Sequence, residues 1–152
     1  MTEVVAFAPE LSTYFESLNR AWIEEYFEIE DADLTVFSDP LREIVEPGGQ
    51  IFFVTSDGAV LGTCAVLRLS EDVYELAKMA VAAEARGRGY GDLLIEAAIE
   101  FARQAGASRL ILLSNTRLKP AIALYQKHGF TSVPITDAHD YARVDIQMEL
   151  RL

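Results

Sequence analysis

The sequence predicts one α+β domain built around a mixed β-sheet. The chain has 152 residues, of which 51% are hydrophobic, and this is enough for a single core. Strand-like and helix-like apolar patterns alternate along the whole chain, and no repeat, linker or low-complexity tract interrupts them. We therefore expect a single domain over residues 1–152.

The first half predicts three adjacent antiparallel strands preceded by helices. "EVVAFA" predicts a short strand, and apolar residues recur at helical spacing after Pro9. Residues 24–46 carry nine acidic side chains and are interpreted as short helices and loops. "QIFFVTSDGAVLGTCAVLRL" predicts a hairpin that turns at Asp57-Gly58, and "VYELAKMAV" predicts the next strand.

The second half predicts two helices alternating with strands. A helix with one apolar face is expected from Gly89 to Gly106, followed by the buried strand "RLILLSN". "LKPAIALYQKHGF" predicts a helix that ends at Gly129, and "FTSVPI" and "ARVDIQMEL" predict two last strands around the polar loop "TDAHDY". The total is about seven strands and about four helices.

Composition excludes several classes of protein. With 24 acidic against 13 basic residues the net charge is -11, so no basic face is available for nucleic acid. No apolar run could span a membrane, and the start "MTEVVAFAPE" is unlike a signal peptide, so a cytoplasmic location is expected. The single cysteine, Cys64, lies in an apolar strand and is interpreted as a buried core thiol.

The charge is unevenly distributed. Residues 1–77 hold 16 acidic and 3 basic groups, whereas residues 78–152 hold 8 and 10. A small anion could therefore bind near the second half, and the loop "ARGRGYGDLL" is the candidate place for it.

This loop leaves a predicted strand and opens a predicted helix, where unpaired amides and the helix dipole favour a phosphate group. Its glycines allow the backbone to approach an anion closely, and Arg86 and Arg88 add positive charge. The dinucleotide motif GxGxxG does not fit, because Asp92 stands at the third glycine position, and no Walker motif is present. The pattern that remains is arginine, two residues, glycine, one residue, glycine.

Together with its flanks, "LAKMAVAAEARGRGYGDLLIEAAIEFAR" resembles the acyl-CoA-binding core of the GNAT superfamily of acetyltransferases. "LILLSN" with "AIALYQKHGF" resembles the next strand and helix of that superfamily, at the expected separation, and the match covers residues 51–150. The resemblance implies a mostly antiparallel sheet that is splayed between its fourth and fifth strands, with acyl-CoA in the cleft.

The resemblance also implies the cofactor-binding residues. The pyrophosphate loop corresponds to Arg86, Gly87, Arg88, Gly89, Tyr90 and Gly91. The strand that binds the pantetheine through main-chain atoms corresponds to Met79, Ala80 and Val81. Asn115 matches an asparagine that contacts the pantetheine arm or a water, although a strand-end cap explains it equally well.

The same resemblance implies two catalytic residues. Glu75 matches a general base of several members; the alternative is a strand-edge carboxylate paired with Lys78 or Arg143. Tyr125 matches a tyrosine that acts as general acid at the thioester sulfur, where a core aromatic is the alternative. Strict alternation places Glu75 and Met79 on one face and Lys78 on the other, where Lys78 is expected to pair with a carboxylate of the acidic segment.

The histidines and the thiol have smaller roles in this interpretation. His128 stands at a helix end, where the dipole explains it. His139 is an alternative base or a loop residue on the surface. Cys64 is not needed as a nucleophile, because the superfamily transfers acyl groups directly.

The function expected from the resemblance is acetyl transfer from acetyl-CoA to a primary amine of a small molecule, with no metal and no membrane or nucleic-acid partner. Acceptance of a protein lysine or N-terminal amine and a non-catalytic acyl-CoA sensor are the alternatives, and a homodimer is left open. The acceptor pocket is expected between the first helices and the last loop. That region combines acidic residues before position 34 with Asp137, His139, Asp140, Tyr141 and Arg143. Its acids would attract a cationic amine, or they form a solvated helix face.

Overall fold

The computed structural model describes residues 1–136 and 139–152 and contains one seven-stranded sheet in the order β1-β2-β3-β4-β5-β7-β6. The strands are β1 (Thr2–Ala6), β2 (Gln50–Ser56), β3 (Ala59–Arg68), β4 (Val73–Val81), β5 (Arg109–Ser114), β6 (Thr131–Val133) and β7 (Ile146–Arg151). The helices are α1 (Ser12–Tyr26), α2 (Asp31–Ser38), α3 (Tyr90–Gln104) and α4 (Lys119–Lys127). Short turns of 3₁₀ or π type lie at Pro9–Leu11, Leu41–Val45 and Ala83–Ala85.

The predicted α+β class, the element order and the approximate numbers of strands and helices are confirmed. The hairpin turns where expected, since Asp57 and Gly58 both adopt positive φ, at 50° and 84°. β7 begins later than its apolar pattern suggested, because the Asp145 carboxylate caps the turn after β5 by accepting from the amide and hydroxyl of Thr116, each at 2.8 Å.

Two apolar clusters cover the two faces of the sheet. One packs α3 and α4 on the sheet and contains Leu94, Leu112 and Tyr125. The other packs α1 and α2 on the opposite face and contains Phe15 and Phe37. Among the described residues, no helix is both long and apolar enough to cross a membrane.

Among the strands of the described residues, β4 and β5 form the one parallel pair, and they separate part-way along their length. Pairing runs from Val73 opposite Arg109 to Leu76 opposite Leu112, while β4 continues to Val81. The rest of β4 still pairs with β3, as in Gly62 opposite Val81. Its main-chain groups on the other side therefore border a gap between β4 and β5, and the splay implied by the resemblance is present.

A bulge in β4 lies at the start of this gap. Ala65 pairs with Ala77 but Thr63 pairs with Ala80, so β4 has one extra residue opposite β3. Lys78 has φ of 52°, in the left-handed region that a residue with a Cβ rarely adopts. The extra residue bends β4 where it leaves β5.

The bulge overturns the expected alternation of side chains. Leu67 lies opposite Glu75 and packs against the cluster on the α1/α2 face, so Glu75 belongs to that face. Lys78 joins it there, with Nζ 5.9 Å from the centre of the Phe37 ring. Met79 packs against the opposite cluster. The prediction that Glu75 and Met79 share a face, with Lys78 on the other, is wrong because one inserted residue reverses the faces beyond it.

The backbone of Lys78 gives a stability prediction. Glycine adopts the left-handed region without a Cβ penalty, so Lys78→Gly should be more stable than Lys78→Ala by about 1 kcal/mol, although both lose the whole side chain beyond Cβ. Urea unfolding of the two variants measures the difference.

Arg68 provides the matched control, because it is an exposed β3 residue and is not among the residues with positive φ. There the order should reverse, with Arg68→Ala more stable than Arg68→Gly. The same order at both positions would show that the conformation of Lys78 carries no strain.

Candidate active site

A cleft of about 500 Å³ opens between the separated parts of β4 and β5. Leu76 to Val81 line one wall, and Leu113 to Asn115 line the other. The cleft also reaches Tyr125 on the α3/α4 face and Trp22 on the α1/α2 face. It therefore passes through the sheet and connects its two faces.

The glycine and arginine loop forms one end of the cleft. Gly87 and Gly89 have positive φ, at 80° and 82°, and Gly89 is the N-cap of α3 without a capping side chain. The first helical hydrogen bond runs from Leu93 N to Gly89 O at 3.2 Å, so the amides of the preceding three residues point out of the helix end. A Cβ on Gly87 would meet nothing within 4 Å, which leaves the space above the loop open. These features suit a phosphate group.

The third glycine of the loop, Gly91, is explained by side-chain packing and not by its backbone conformation. A Cβ on Gly91 would lie 2.7 Å from Leu124 Cδ2, so a larger residue there would displace this α4 side chain, which packs closely on the start of α3. Tyr90 is part of the loop, but its ring is buried in the core and a hydrogen bond with Ser56 lowers the pKa of its hydroxyl. Arg88 also interacts with that hydroxyl and does not line the cleft.

Tyr125 lies in the wall of the cleft on the α3/α4 face. Its side chain is 8% exposed and its ring packs edge-on against Phe130, with centroids 6.1 Å apart. Burial, with a smaller effect of Cys64, raises the pKa of the Tyr125 hydroxyl far above its usual value. The phenol is therefore protonated at any pH at which the protein would work. Cys64 itself is fully buried, as predicted, and burial raises its pKa to about 12.

A buried ionic network borders the cleft on the α1/α2 face. Asp33 in α2 has no exposed surface and accepts from Lys78 Nζ at 2.6 Å. Arg143, before β7, binds both oxygens of the same carboxylate, with Nη2 to Oδ1 at 2.6 Å and Nη1 to Oδ2 at 2.8 Å. Glu30 accepts from Arg143 Nη1 at 3.2 Å and from the Ala142 amide at 2.9 Å. The expected pairing of Lys78 with the acidic segment is confirmed.

The network shifts the pKa values of its members. Burial raises the pKa of Asp33, but hydrogen bonds from Arg143 and Lys78 outweigh it and lower the value to about 2. Burial lowers the pKa of Lys78, and the opposing effects of Asp33 and Glu75 limit that shift. The Tyr141 hydroxyl accepts from Lys78 Nζ at 2.9 Å, and burial raises its pKa.

Aromatic rings surround the two cations of this wall. Lys78 Nζ lies 4.1 Å from the centre of the Tyr141 ring, and the Arg143 guanidinium carbon lies 4.6 Å from the same centre. Arg143 also contacts Trp22, whose ring meets Phe27 edge-on with centroids 6.4 Å apart. Charge and aromatic packing together fix this side of the cleft.

The edges of the cleft hold two further polar contacts. Asn115 Nδ2 donates to Arg143 O and Asn115 Oδ1 accepts from the Arg117 amide, both at 2.8 Å, which is a strand-end cap. At the loop end, Asp92 binds Lys127 at 2.8 Å and His128 at 2.7 Å and so joins α3 to α4. Hydrogen bonds from Lys127 and His128 lower the pKa of Asp92.

Of the twelve residues predicted from the sequence as catalytic or cofactor-binding, eleven line this one cleft and Arg88 does not. His139 is exposed and is not a lining residue, and Asp137 lies outside the described residues.

The acidic residues before position 34 differ in their exposure to solvent. Four of them are exposed and do not line the cleft: Glu24, Glu25, Glu28 and Asp31. Glu24 and Glu25 lie in α1, Asp31 lies in α2 and Glu28 lies in the segment between them, so all four are solvated and the first three belong to a helix face.

The family model described as Acetyltransferase (GNAT) family matches residues 11–130 of this chain. The chain belongs to the GNAT family of acetyltransferases. It is an acetyl-transferring enzyme with acetyl-CoA as co-substrate, as the resemblance of its loop and flanks implied.

The chain is also similar to individual acetyltransferases. The chain is 34% identical over 116 residues to the uncharacterized N-acetyltransferase YjgM of Escherichia coli strain K12, a match that covers 72% of this chain and 70% of that protein. An acetyltransferase of the GNAT family from Staphylococcus aureus has the same fold, with a TM-score of 0.91, 14% identity and 99% of both chains covered. The putative acetyltransferase yncA from Salmonella typhimurium, solved with acetyl-CoA, gives a TM-score of 0.75 at 16% identity, over 99% of this chain and 94% of that chain.

Some lining residues of this GNAT domain were not identified from the sequence. Leu118, Ala121 and Leu124 of the α4 segment form an apolar part of the cleft near Tyr125. Their helical spacing was the available signal, but the same spacing is typical of residues that pack in a core. Asp33 and Tyr141 were noted only as members of charged or polar segments, because their partner Lys78 is distant in the chain.

The ionic network of this GNAT domain predicts how stability depends on pH. The pKa of Asp33 falls from 3.8 to about 2 on folding, so its stabilising effect is complete above pH 3.8 and is lost as pH falls through about 2. Asp33→Asn should cost about 3–5 kcal/mol near pH 7, because Lys78 and Arg143 remain buried. This cost should shrink by about 2 kcal/mol between pH 5 and pH 2, measured by urea unfolding.

Asp31→Asn is the matched control, since Asp31 is exposed on the same helix. It should change stability by less than about 0.5 kcal/mol at either pH. If the cost of Asp33→Asn does not vary with pH, the ion pairs do not depress the pKa of Asp33.

Proposed function

We propose that this protein is an N-acetyltransferase that moves the acetyl group of acetyl-CoA directly to the primary amine of a small molecule. The observation that carries the proposal is the course of the cleft. It begins at the glycine and arginine loop and Tyr125 on one face of the sheet and ends beside Glu75 on the other. An acetyl donor and an amine can therefore approach each other through the gap between β4 and β5.

The residues of the cleft fit acetyl-CoA. The open loop at Gly87 and Gly89, with its outward amides and Arg86, suits the pyrophosphate. The unpaired edge of β4 at Met79–Val81 offers main-chain groups to the amides of the pantetheine arm. Leu124 and Ala121 provide an apolar surface beside that arm. The bound thioester supplies the activated acetyl group.

In this proposal Tyr125 is the general acid. A thiolate leaves when the amine attacks the thioester, and it needs a proton. The raised pKa of Tyr125 keeps its proton available near neutral pH, and the side chain lines the cleft. Its burial also limits competition from solvent.

Glu75 is the proposed base that takes a proton from the incoming ammonium. It lines the cleft on the α1/α2 face, on the side of the sheet opposite to Leu76, which packs in the cluster of Tyr125. Water is the alternative to Glu75. His139 is less well placed, because it is exposed and outside the cleft lining.

Contacts at this end of the cleft favour a small acceptor. Glu30 binds Ala142 and Arg143, and Arg117 Nη1 donates to the Tyr26 carbonyl at 3.2 Å. These contacts connect the end of α1 and the segment after it to the chain on both sides of the cleft. A cleft that is bridged in this way supports a small amine over a folded protein surface.

The loop assignment predicts the effect of a double variant on cofactor binding. Arg86→Ala with Gly89→Val removes one charge and forces a β-branched residue into a φ of 82°. Affinity for acetyl-CoA should fall by about 100-fold or more, since both the charge and the backbone cradle are lost. Calorimetric titration measures the dissociation constant.

The opposite end of α3 offers a matched control. Gly106 has φ of 84° with open space around it, and Arg103 lies in the last turn of the helix. Arg103→Ala with Gly106→Val imposes a similar change of charge and backbone away from the cleft. Equal loss of affinity in both folded double variants would contradict the loop assignment.

The proposed acid predicts a loss of turnover. Tyr125→Phe keeps the ring and removes the proton, so kcat for amine-dependent thiol release should fall by about 100-fold. The KM for acetyl-CoA should change by less than about 3-fold, because the effect lies in the transition state.

Tyr74→Phe is the control for this variant. Tyr74 is buried in the same cluster, at 5% exposure, but does not line the cleft. It should retain full turnover. Undiminished kcat in Tyr125→Phe would remove Tyr125 from the proposed mechanism.

A further inference from the structure

We propose that Lys78 is a site of self-acetylation, at which Nζ accepts the acetyl group of acetyl-CoA bound in the cleft of the same chain. The inference rests on the proposed N-acetyltransferase function and adds an internal acceptor to it. It follows from the kinds of cation that line the cleft, from the place of Lys78 on β4 and from the contacts of its amine.

Lys78 is the one lysine among the described residues that line the cleft. The other cations there are Arg86, Arg117 and Arg143. A guanidinium stays protonated in proteins and does not act as a nucleophile, whereas an amine does once it has lost a proton. Within the described lining, Lys78 therefore supplies the side-chain amine that an acetyl donor would meet.

Lys78 lies next to the part of β4 that is proposed to bind the pantetheine arm. The glycine and arginine loop follows Val81, so an arm that runs from this loop along β4 passes Val81, Ala80 and Met79 in turn and reaches Lys78 last. Lys78 belongs to the α1/α2 face, from which the acceptor amine is proposed to approach the thioester. Its amine is thus on the side of the acetyl group where nucleophilic attack is expected.

The contacts of the Lys78 amine are compatible with a nucleophilic lone pair. Nζ donates to Asp33 Oδ1 at 2.6 Å and to the Tyr141 hydroxyl at 2.9 Å. A neutral amine keeps two N–H groups, enough for both hydrogen bonds, and its lone pair then points away from Asp33 and Tyr141. Burial lowers the pKa of Lys78 and Arg143 lowers it further, whereas Asp33 opposes them. Burial and a neighbouring cation are the conditions that activate a lysine as a nucleophile.

The proposed step is a direct acyl transfer. Lys78 Nζ loses one proton and attacks the thioester carbon, so that an N–C bond forms, the C–S bond breaks and the nitrogen releases a second proton. The thiolate of coenzyme A takes up one proton from the proposed acid Tyr125, which one of the two released protons restores. The products are acetyl-lysine, free coenzyme A and one proton in solvent.

The buried network keeps most of its hydrogen bonds after this change. Acetyl-lysine has no positive charge but retains one N–H donor. Asp33 still accepts from Arg143 Nη1 and Nη2, at 2.8 and 2.6 Å, and from the Glu30 amide at 2.9 Å. The carboxylate is therefore not left uncompensated, which is the situation in which loss of a buried ion-pair partner is most costly. The chain presents one such amine, so one modification per chain is expected.

The test incubates the full chain with acetyl-CoA and no amine, starting from protein whose intact mass shows no acetyl group. We expect a burst of about one equivalent of thiol per chain and the gain of one acetyl group, located at Lys78 by peptide mass spectrometry. Trypsin should then fail to cleave after Lys78. Lys78→Arg, which keeps a positive charge and has no amine to acetylate, should give no burst.

The two other lysines of the chain are internal controls. Lys119 and Lys127 are exposed and do not line the cleft. Direct reaction with acetyl-CoA from solution would favour these two amines over Lys78, whose side chain is 7% exposed. A second control mixes the wild-type chain with the double variant Arg86→Ala, Gly89→Val. The double variant should stay unmodified at Lys78, because that amine is reached through the cleft of its own chain.

The outcomes separate the inference from the function on which it rests. Acetylation of Lys78 that exceeds that of Lys119 and Lys127 by about 10-fold or more, and that is absent from the double variant, supports the inference. Equal acetylation of the three lysines, or an unmodified Lys78 in a chain that binds acetyl-CoA, overturns it and leaves the proposed transfer to a small amine intact. A chain that binds no acetyl-CoA in calorimetric titration would contradict both.

Discussion

The buried carboxylate of Asp33 is the contact on which the arrangement of the cleft depends. It holds β4 through Lys78, the segment before β7 through Arg143, and the start of α2 through a capping box with Glu30. A carboxylate without solvent contact is costly unless strong hydrogen bonds replace its hydration, and the two cations supply them. Three parts of the chain that are far apart in sequence are thereby fixed around one wall of the cleft.

The same contact explains a local cost in the backbone. Lys78 occupies a left-handed conformation inside a strand, which an alkyl side chain disfavours, but the bulge directs its ammonium to Asp33 and Tyr141. The bulge lies where β4 loses β5 as a partner. Strain, ion pairing and the opening of the sheet are thus features of one short segment, and that segment borders the proposed binding site for the pantetheine arm.

Local sequence patterns were enough to predict much of the fold and most of the proposed cofactor site. The helix after Gly89 and the hairpin at Asp57 each depend on neighbouring residues, and each was placed correctly. The loop from Arg86 to Gly91 is equally local, and all of it except Arg88 lines the cleft. The bulge at Lys78 could not be predicted, because a period of two gives no sign of an inserted residue. The partner of Lys78 was predictable only as a class, since a buried ammonium requires a carboxylate but the sequence does not single out Asp33, 45 positions away.

The uneven charge of the chain also follows from this geometry. Acidic side chains of the first half either face solvent, as Glu24 and Asp31 do, or are consumed in the buried network, as Asp33 is. The acids of the first half therefore do not oppose the basic loop, which lies at the other end of the cleft, where a polyanionic co-substrate needs positive charge and helix amides. The separation leaves the loop end of the cleft suited to an anion, and the proposed amine would enter at the opposite end. Because the sheet is open between β4 and β5, the two proposed ligands would meet within it and not across its surface.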